Sequence, residues 1–194
     1  MYVRKAFAKE DFEDIRQLVR DTQLTDLPFY DSRFNETDET YVFMVEDEFG
    51  NLLGTNSLTI DGAHGLPVDD DFKEEVDLIR KECRKEGKNL GMSWRIVTRS
   101  EIRNQMSVTL GLIGATIDLG RQCPLDVMLF ILPLKQKSFY ECILGLKGVG
   151  EDHSVILMRG DKKNLFAAWN RVRERRQSAR MTMQRTSKQI AKTG

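Results

Sequence analysis

Tyr140 is the residue whose type and position most directly suggest chemistry. It follows the apolar run Val127–Leu132, which predicts one buried strand that stops at Pro133, because proline cannot donate to a sheet ladder. A short amphipathic helix that ends at Gly145 then carries the tyrosine close to the carboxyl end of the strand. Ligands of α/β folds gather at such strand ends, and a phenol with a pKa of about 10 is a proton donor at neutral pH.

The other reactive side chains form no recognisable centre. His64 and His153 stand alone, without metal-ligand spacing or a neighbouring nucleophile, so we interpret both as structural or surface residues. The three cysteines, Cys83, Cys123 and Cys142, form no CxxC pair and are typical of reduced thiols in a cytosolic protein. We therefore expect no metal site and no tightly bound cofactor.

Charge is balanced overall but uneven along the chain. The 194 residues carry 30 basic and 30 acidic side chains, so net charge predicts no partner. From Arg159 to Gly194, eleven basic and two acidic residues give +9, which leaves −9 on residues 1–158. This basic tail is compatible with partner docking, with nucleic-acid contact or with disorder. Nucleic acid is not the expected partner, although the tail leaves it open.

The chain shows no signal peptide and no apolar run that approaches the ~20 residues of a membrane span. We therefore expect a soluble, cytoplasmic protein without a membrane span. Its length suits one domain with a sizeable core. The patterns predict an α/β domain over residues 1–160 and a basic helix or tail over residues 161–194.

Hydrophobic periodicity outlines the elements that must position Tyr140. The predicted strands are Tyr2–Phe7, Tyr41–Glu46, Leu52–Ile60, Gly91–Thr98, Asp126–Leu132 and Val155–Arg159. The predicted helices are Asp11–Gln23, Phe72–Lys88, Ile102–Gly120, the short one that carries Tyr140, and Leu165–Val172. Polar segments from Thr25 to Thr40 and from Asp61 to Asp71 are expected to be loops.

Three segments resemble a known family. FYECILGLKGVG resembles the FYexxGFxxxG signature of the GNAT acyltransferase superfamily, and TYVFMVEDEFGNLLGTNSLTID resembles the first hairpin of that superfamily. TIDGAHGLPVDDDFKEEVDLIR is similar to a D…GLP…F…E…LR segment of the long-chain N-acyl amino acid synthases, relatives of the acyl-homoserine lactone synthases. The resemblance covers residues 1–160. It implies a GNAT-like α/β fold with a twisted, mostly antiparallel sheet, one splayed parallel strand pair and helices on both faces.

The resemblance implies that an acyl thioester lies in the gap between Gly91–Thr98 and Asp126–Leu132. Backbone N–H groups near Trp94–Ile96 would then form an oxyanion hole for the thioester carbonyl. The gap would be lined by residues of both strands, or by their alternates: Met92, Trp94, Ile96, Met128 and Phe130. All five are also typical core residues, so a purely structural role is the alternative for each.

The resemblance also assigns roles near the gap. Tyr140 corresponds to the tyrosine that protonates the leaving thiolate, and packing under the sheet is its alternative role. Arg95 corresponds to the arginine of an ExSR motif and would orient the acceptor or its carboxylate. That alignment puts Met92 at the glutamate that can act as base, and Trp94 at the serine. Asp38 lies in a run similar to the acidic residues that meet the amine of the acceptor.

The segment after Thr98 bears on the donor. Acetyl-CoA enzymes of the superfamily carry a Q/RxxGxG/A loop there, whose glycines let backbone N–H groups close on the CoA diphosphate. Residues 99–104 contain no glycine, which fits acyl-phosphopantetheine on an acyl carrier protein better than acyl-CoA. Carrier proteins are typically acidic, so basic residues near the gap would dock one: Arg99, Arg103, Lys135 and Lys137. The alternative is that these are ordinary solvated charges.

Three hypotheses follow. The first is an N-acyltransferase that moves a long-chain acyl group from a carrier-protein thioester to the amine of an amino acid or a similar small acceptor. The second, motivated by Met92, is a catalytically degenerate protein of GNAT fold that binds an acyl or pantetheine arm or a protein partner. The third is an acetyl-CoA-dependent N-acetyltransferase.

Overall fold

Seven strands form a single sheet in the described chain, which comprises residues 1–26, 39–102 and 105–193 in a computed structural model. Side chains are described through residue 22 in the first range and through residue 179 in the last. The strands are β1 (Tyr2–Lys5), β2 (Thr40–Glu46), β3 (Leu52–Ile60), β4 (Leu90–Thr98), β5 (Val127–Pro133), β6 (Lys147–Asp152) and β7 (Val155–Asp161). The helices are α1 (Lys9–Asp26), α2 (Lys73–Lys85), α3 (Met106–Gln122), α4 (Lys137–Leu144) and α5 (Lys162–Thr193).

The strand order is β1-β2-β3-β4-β5-β7-β6, and β4–β5 is the parallel pair of the described sheet. The other neighbouring strands are antiparallel. Helix α3 makes the crossover that parallel neighbours require. This arrangement confirms the predicted mostly antiparallel GNAT-like sheet with one parallel pair.

Helices cover both faces of the sheet, because successive strand side chains point to opposite sides. Leu129 of β5 packs with Met92 and Trp94 of β4 against α2. The alternate residues Met128 and Phe130 pack with α3, α4 and α5 in the largest core cluster. Helix α1 lies over β2 on the same face as α2 and forms a smaller cluster there.

Strand β6 is absent from the predicted elements. Its sequence, Lys147–Asp152, contains two glycines and three charged residues, and the strand pairs only with β7 at the edge of the described sheet. An edge strand needs little apolar alternation, so its pattern resembles a loop. The turn from β2 to β3 contains Gly50, which takes a left-handed φ of 85°.

Helix α5 continues far beyond the predicted Leu165–Val172 and ends at Thr193. Leu165 and Trp169 on its first turns are buried in the core cluster of α3 and α4. The sequence contains no glycine or proline between Lys162 and Thr193, so nothing local ends the helix. None of the helices in the described ranges combines the length and apolarity needed to cross a membrane.

We predict that Gly114→Ala destabilises the fold. A Cβ at this position of α3 would overlap the indole ring of Trp169, which is buried and cannot swing away. Overpacking of this kind costs about 1–3 kcal/mol, more than the ~1 kcal/mol gained in helix propensity. Urea denaturation should therefore show a net loss in the free energy of unfolding.

Gly111→Ala is the matched control on the same helix. Its Cβ would meet the Met1 methyl at 3.6 Å, an ordinary contact, so this variant should gain up to about 1 kcal/mol. Equal effects of the two substitutions would contradict a tight contact between Gly114 and Trp169.

Candidate active site

The parallel strands β4 and β5 part halfway along their length. Their register pairs run from Leu90–Val127 to Ser93–Phe130 and stop there. Beyond this point β4 stays paired with β3 up to Thr98–Gly54, and β5 stays paired with β7 up to Pro133–Val155. Each strand follows its outer neighbour, so a gap opens at the carboxyl ends of the pair.

A β-bulge marks the start of this gap on β4. The register jumps from Trp94–Ser57 to Val97–Thr55, so Arg95 and Ile96 together face the single residue Asn56 of β3. Arg95 takes a left-handed φ of 57°, which costs a non-glycine residue about 1–2 kcal/mol. Bulges bend a strand and redirect its side chains, and here the bend falls where β4 leaves β5.

The gap holds a cavity of about 620 Å³. Its described walls come from α1, the end of β4, α3, the end of β5 with the following turn, α4, and the start of β7 with the residue before it. They are formed by Val19, Thr22, Arg95, Ile96, Val97, Thr98, Thr109, Ile131, Leu132, Pro133, Leu134, Lys135, Gln136, Tyr140, Ser154 and Val155. Half of these residues are aliphatic or proline, and the other half carry a polar group, so the cavity offers both an apolar surface and groups that can orient a ligand.

Tyr140 lies on the wall of this cavity. A 3-10 turn at Leu134–Gln136 follows Pro133, and α4 then carries the tyrosine back against the core until Gly145 ends the helix with a φ of 67°. The side chain is 2% exposed, and the edge of Phe139 packs on its ring with centroids 5.1 Å apart. Burial raises the pKa of Tyr140 to about 12, because the charged phenolate would lose its hydration.

Arg95 lies on the wall formed by β4. Its side chain is almost fully buried, and its guanidinium carbon stands 4.1 Å from the centre of the Trp94 ring, a cation–π stack. Trp94 in turn donates its indole N–H to the Thr59 hydroxyl at 2.9 Å. The bulge therefore brings the positive charge of Arg95 to the cavity, while the neighbouring residue Trp94 stays buried in the core.

The predicted lining residues fall into two groups. Ile96 lines the cavity. Met92 and Trp94 are instead fully buried in the α2-side core, and Met128 and Phe130 in the α3-side core. The physical reason is their position, because none of the four lies beyond Trp94 on β4 or Phe130 on β5, while the cavity wall begins at Arg95 and Ile131. Residues 95–98 of β4 and 131–133 of β5 form the wall instead.

Three of the four predicted docking residues are described, and they occupy different surroundings. Lys135 is exposed on the cavity wall. Lys137 binds Glu151 of β6, with its Nζ 2.8 Å from the carboxylate, and this hydrogen bond raises the pKa of the lysine. Arg99 lines an adjoining groove of about 350 Å³ and donates to the Leu52 carbonyl.

The groove beside Arg99 also carries three acidic residues, Asp14, Asp21 and Glu101. Its surroundings are therefore more acidic than the prediction of a basic docking patch assumed. Arg103 and the predicted acceptor residue Asp38 lie outside the described residues.

Helix α1 contributes wall residues that sequence reasoning missed. The sequence predicts Val19 and Thr22 only as residues of the helix Asp11–Gln23, yet both line the cavity. Ser154, between β6 and β7, was missed for the same reason as β6 itself. Among the described residues, no three histidine, cysteine or carboxylate side chains are grouped as metal ligands.

A family model matches most of the chain. It describes the N-acyl amino acid synthase FeeM and matches residues 1–156. The chain belongs to the FeeM N-acyl amino acid synthase family. Membership confirms the resemblance to the synthase branch of the GNAT superfamily and supports acyltransferase activity. A search of curated proteins found no match.

Solved structures show the same fold. FeeM, an N-acyl amino acid synthase from uncultured soil microbes, is 22% identical, with 84% of this chain and 91% of that chain covered and a TM-score of 0.69. TofI in an apo form is 11% identical, with 87% and 95% covered and a TM-score of 0.63. ElaA from Escherichia coli is 10% identical, with 82% and 99% covered and a TM-score of 0.59.

The raised pKa of Tyr140 predicts a loss of stability in alkali. A tyrosine ionises at a pKa of about 10 in an unfolded chain, and Tyr140 at a pKa of about 12 in the fold. The fold favours the protonated phenol, so this stabilisation is complete below pH ~10 and is lost as the pH rises towards 12. Between about pH 9 and about pH 11.5, the wild type should lose about 2 kcal/mol more than Tyr140→Phe.

Urea denaturation at both pH values measures this difference, with Tyr41→Phe as the control because it removes a hydroxyl that does not line the described cavity. Parallel losses in the wild type and Tyr140→Phe would show that the phenol titrates as if exposed.

Proposed function

We propose that this protein transfers a long acyl group from the phosphopantetheine thioester of an acyl carrier protein to the amine of an amino acid or a similar small acceptor. The observation that carries this proposal is the cavity of about 620 Å³ at the parting of β4 and β5, with Tyr140 and Arg95 on its walls. A cleft between diverging strands, half lined by aliphatic residues and proline, suits an extended thioester arm. Membership of the FeeM family supports the reaction class.

The reaction requires one bond to form and one to break. The amine nitrogen attacks the thioester carbon, the carbonyl oxygen becomes an oxyanion, and the C–S bond breaks as the amide forms. The nitrogen loses a proton and the sulfur gains one. Beyond Ser93, the edge of β4 that faced β5 no longer pairs with that strand, and its backbone N–H groups near Arg95 and Ile96 would hold the oxyanion.

Tyr140 is suited to donate a hydrogen bond to the sulfur that leaves the thioester. Its pKa of about 12 keeps the phenol protonated throughout the neutral range, so it always has a proton to offer. A thiol has a lower pKa, about 8.5, so complete transfer from Tyr140 alone is uphill. The hydroxyl would therefore act mainly as a hydrogen-bond donor to the departing sulfur. The proton that the amine nitrogen loses accounts for the proton that the sulfur gains.

Arg95 would orient the acceptor. Its guanidinium is buried, and its planar fork of donors matches a carboxylate. Stacking on Trp94 limits the rotamers of the arginine, so less entropy is lost when a carboxylate binds. An acceptor with a carboxylate next to its amine, as in an amino acid, fits this charge best.

Lys135 supports a carrier protein as donor. It is exposed on the cavity wall, and the described part of the neighbouring segment is a 3-10 turn at Ser100–Ile102 without a glycine. Such a turn offers no glycine-lined cradle for a CoA diphosphate. A positive side chain at the mouth would guide an acidic carrier.

We predict that Tyr140→Phe lowers kcat by about 10²-fold or more, because the departing sulfur loses its donor. KM for both substrates should stay within about threefold, since the ring that fills the wall remains. Steady-state assays with an acyl-carrier donor and an amino acid panel measure both constants.

Tyr41→Phe is the matched control and should retain the wild-type kcat. A Tyr140→Phe enzyme with full kcat would remove the tyrosine from the mechanism and leave it a packing role.

Lys135→Glu should raise KM for an acyl-carrier donor by roughly 3- to 10-fold and weaken its salt dependence, because reversing a rim charge mainly affects encounter. KM for free acyl-pantetheine should not change. Lys85→Glu, at an exposed position on α2, is the matched control. If both donors respond equally, Lys135 contacts the arm and not the carrier.

The buried Met92 favours a second candidate, a degenerate protein that binds an acyl or pantetheine arm without turnover. Met92 has no exposed surface and packs against α2, where an ionised glutamate would be buried without a partner. Lipid mass spectrometry of cells that express the wild type or Tyr140→Phe separates the two functions. An acylated amine in wild-type cells alone supports the synthase, and its absence from both favours the binder.

A further inference from the structure

A buried polar network lies directly beside the bulge. The side-chain amide nitrogen of Asn56 donates to the Thr116 hydroxyl of α3 at 2.5 Å. The Ser93 hydroxyl donates to the side-chain amide oxygen of Asn56 at 3.2 Å. The Thr116 hydroxyl donates its own hydrogen bond to the Leu112 carbonyl at 3.1 Å, so its oxygen is left to accept from Asn56. The three side chains of this network, Asn56, Ser93 and Thr116, have no exposed surface.

The network connects the two points that define the gap. Ser93 is the last β4 residue paired with β5, and Asn56 faces the two-residue bulge at Arg95 and Ile96. Thr116 anchors both of them to α3, the helix that also contributes Thr109 to the cavity wall. A central strand normally presents apolar side chains to a helix, so three hydrogen-bonded polar groups at this one place call for a specific role.

We infer that Asn56 is a positioning residue for acyl transfer, acting through the bulge. The inference rests on the proposed function for its catalytic meaning. The amide fixes how β3, β4 and α3 meet at the bulge, and this sets the direction of the backbone N–H groups of Arg95 and Ile96. Those groups must point at the thioester oxygen to within a fraction of an ångström to stabilise an oxyanion.

A purely structural network would behave differently. Removing it would lower stability, and any loss of rate would follow the loss of folded protein. A positioning network changes kcat in the folded enzyme, because misdirected N–H groups still permit substrate binding but stabilise the transition state less well.

Thr116→Val tests the inference by replacing the accepting hydroxyl with a methyl group of similar size. We expect kcat to fall at least about tenfold, with KM for donor and acceptor within about threefold and the protein folded by circular dichroism. Thr116→Ser keeps the hydroxyl and should recover kcat to within about threefold of the wild type. Asn56→Leu should lower kcat as Thr116→Val does, and the double variant should be no worse than the poorer single variant.

Ile117→Val is the matched control. It removes one methylene group from the same core at the next position of α3, and none of the network hydrogen bonds involves it. It should keep kcat within about twofold. A loss of kcat in Ile117→Val as large as in Thr116→Val would overturn the inference and leave a general packing effect.

Amide chemical shifts of Arg95 and Ile96 provide a readout that does not depend on turnover. They should move in Thr116→Val, return in Thr116→Ser and stay unchanged in Ile117→Val. Unmoved shifts in Thr116→Val overturn the inference whatever the kinetics. If the wild type forms no acylated product, the proposed function fails, while the shifts still decide whether the network positions the bulge.

Discussion

The four-pair parallel ladder between β4 and β5 is the constraint on which the rest of the site depends. It holds the two strands together up to Ser93–Phe130, and each strand is then retained by a different antiparallel neighbour. The gap is therefore not a flexible opening but a result of the sheet topology. The parting leaves backbone N–H groups that would have completed the ladder, and a thioester carbonyl is the kind of ligand that can accept their hydrogen bonds.

The bulge shows how strain is retained at this point. An arginine in the left-handed region costs about 1–2 kcal/mol, and an unsatisfied buried amide would cost about 1–3 kcal/mol more. The buried amide of Asn56 does not carry the cost of being unsatisfied, because Ser93 and Thr116 hydrogen-bond to it. On the opposite face of the sheet, Trp94 is held by its hydrogen bond to Thr59. The surroundings over-determine the conformation of Arg95, as expected where backbone strain serves a site.

Much of the fold could be predicted because its signals are local. The apolar residues of β4 and β5 and the helical periodicity of α1 to α4 report burial directly, whereas the polar edge strand β6 reports nothing. Tyr140 and Arg95 could be singled out from motif position, and both lie on the cavity. The other residues that line the cavity could not be predicted, because the sequence of neither strand indicates where the parallel ladder ends.

Contacts between residues far apart in the sequence could not be predicted either. Lys137 resembles a free docking charge until the fold brings Glu151 of an unpredicted strand to its side chain. Thr22 is an ordinary helix residue until α1 crosses the end of β4. Both depend on which elements meet in space, and hydrophobic periodicity does not contain that information.

Trp169 of the C-terminal helix links sequence change outside the matched segment to sequence change inside it. It lies outside the segment that the family model matches, residues 1–156, yet its indole occupies the space that Gly114 leaves vacant inside that segment. The two positions can change only together, because a larger residue at 114 requires a smaller one at 169, or no helix there. Covariation between them should therefore distinguish relatives that carry α5 from those in which the domain closes without it.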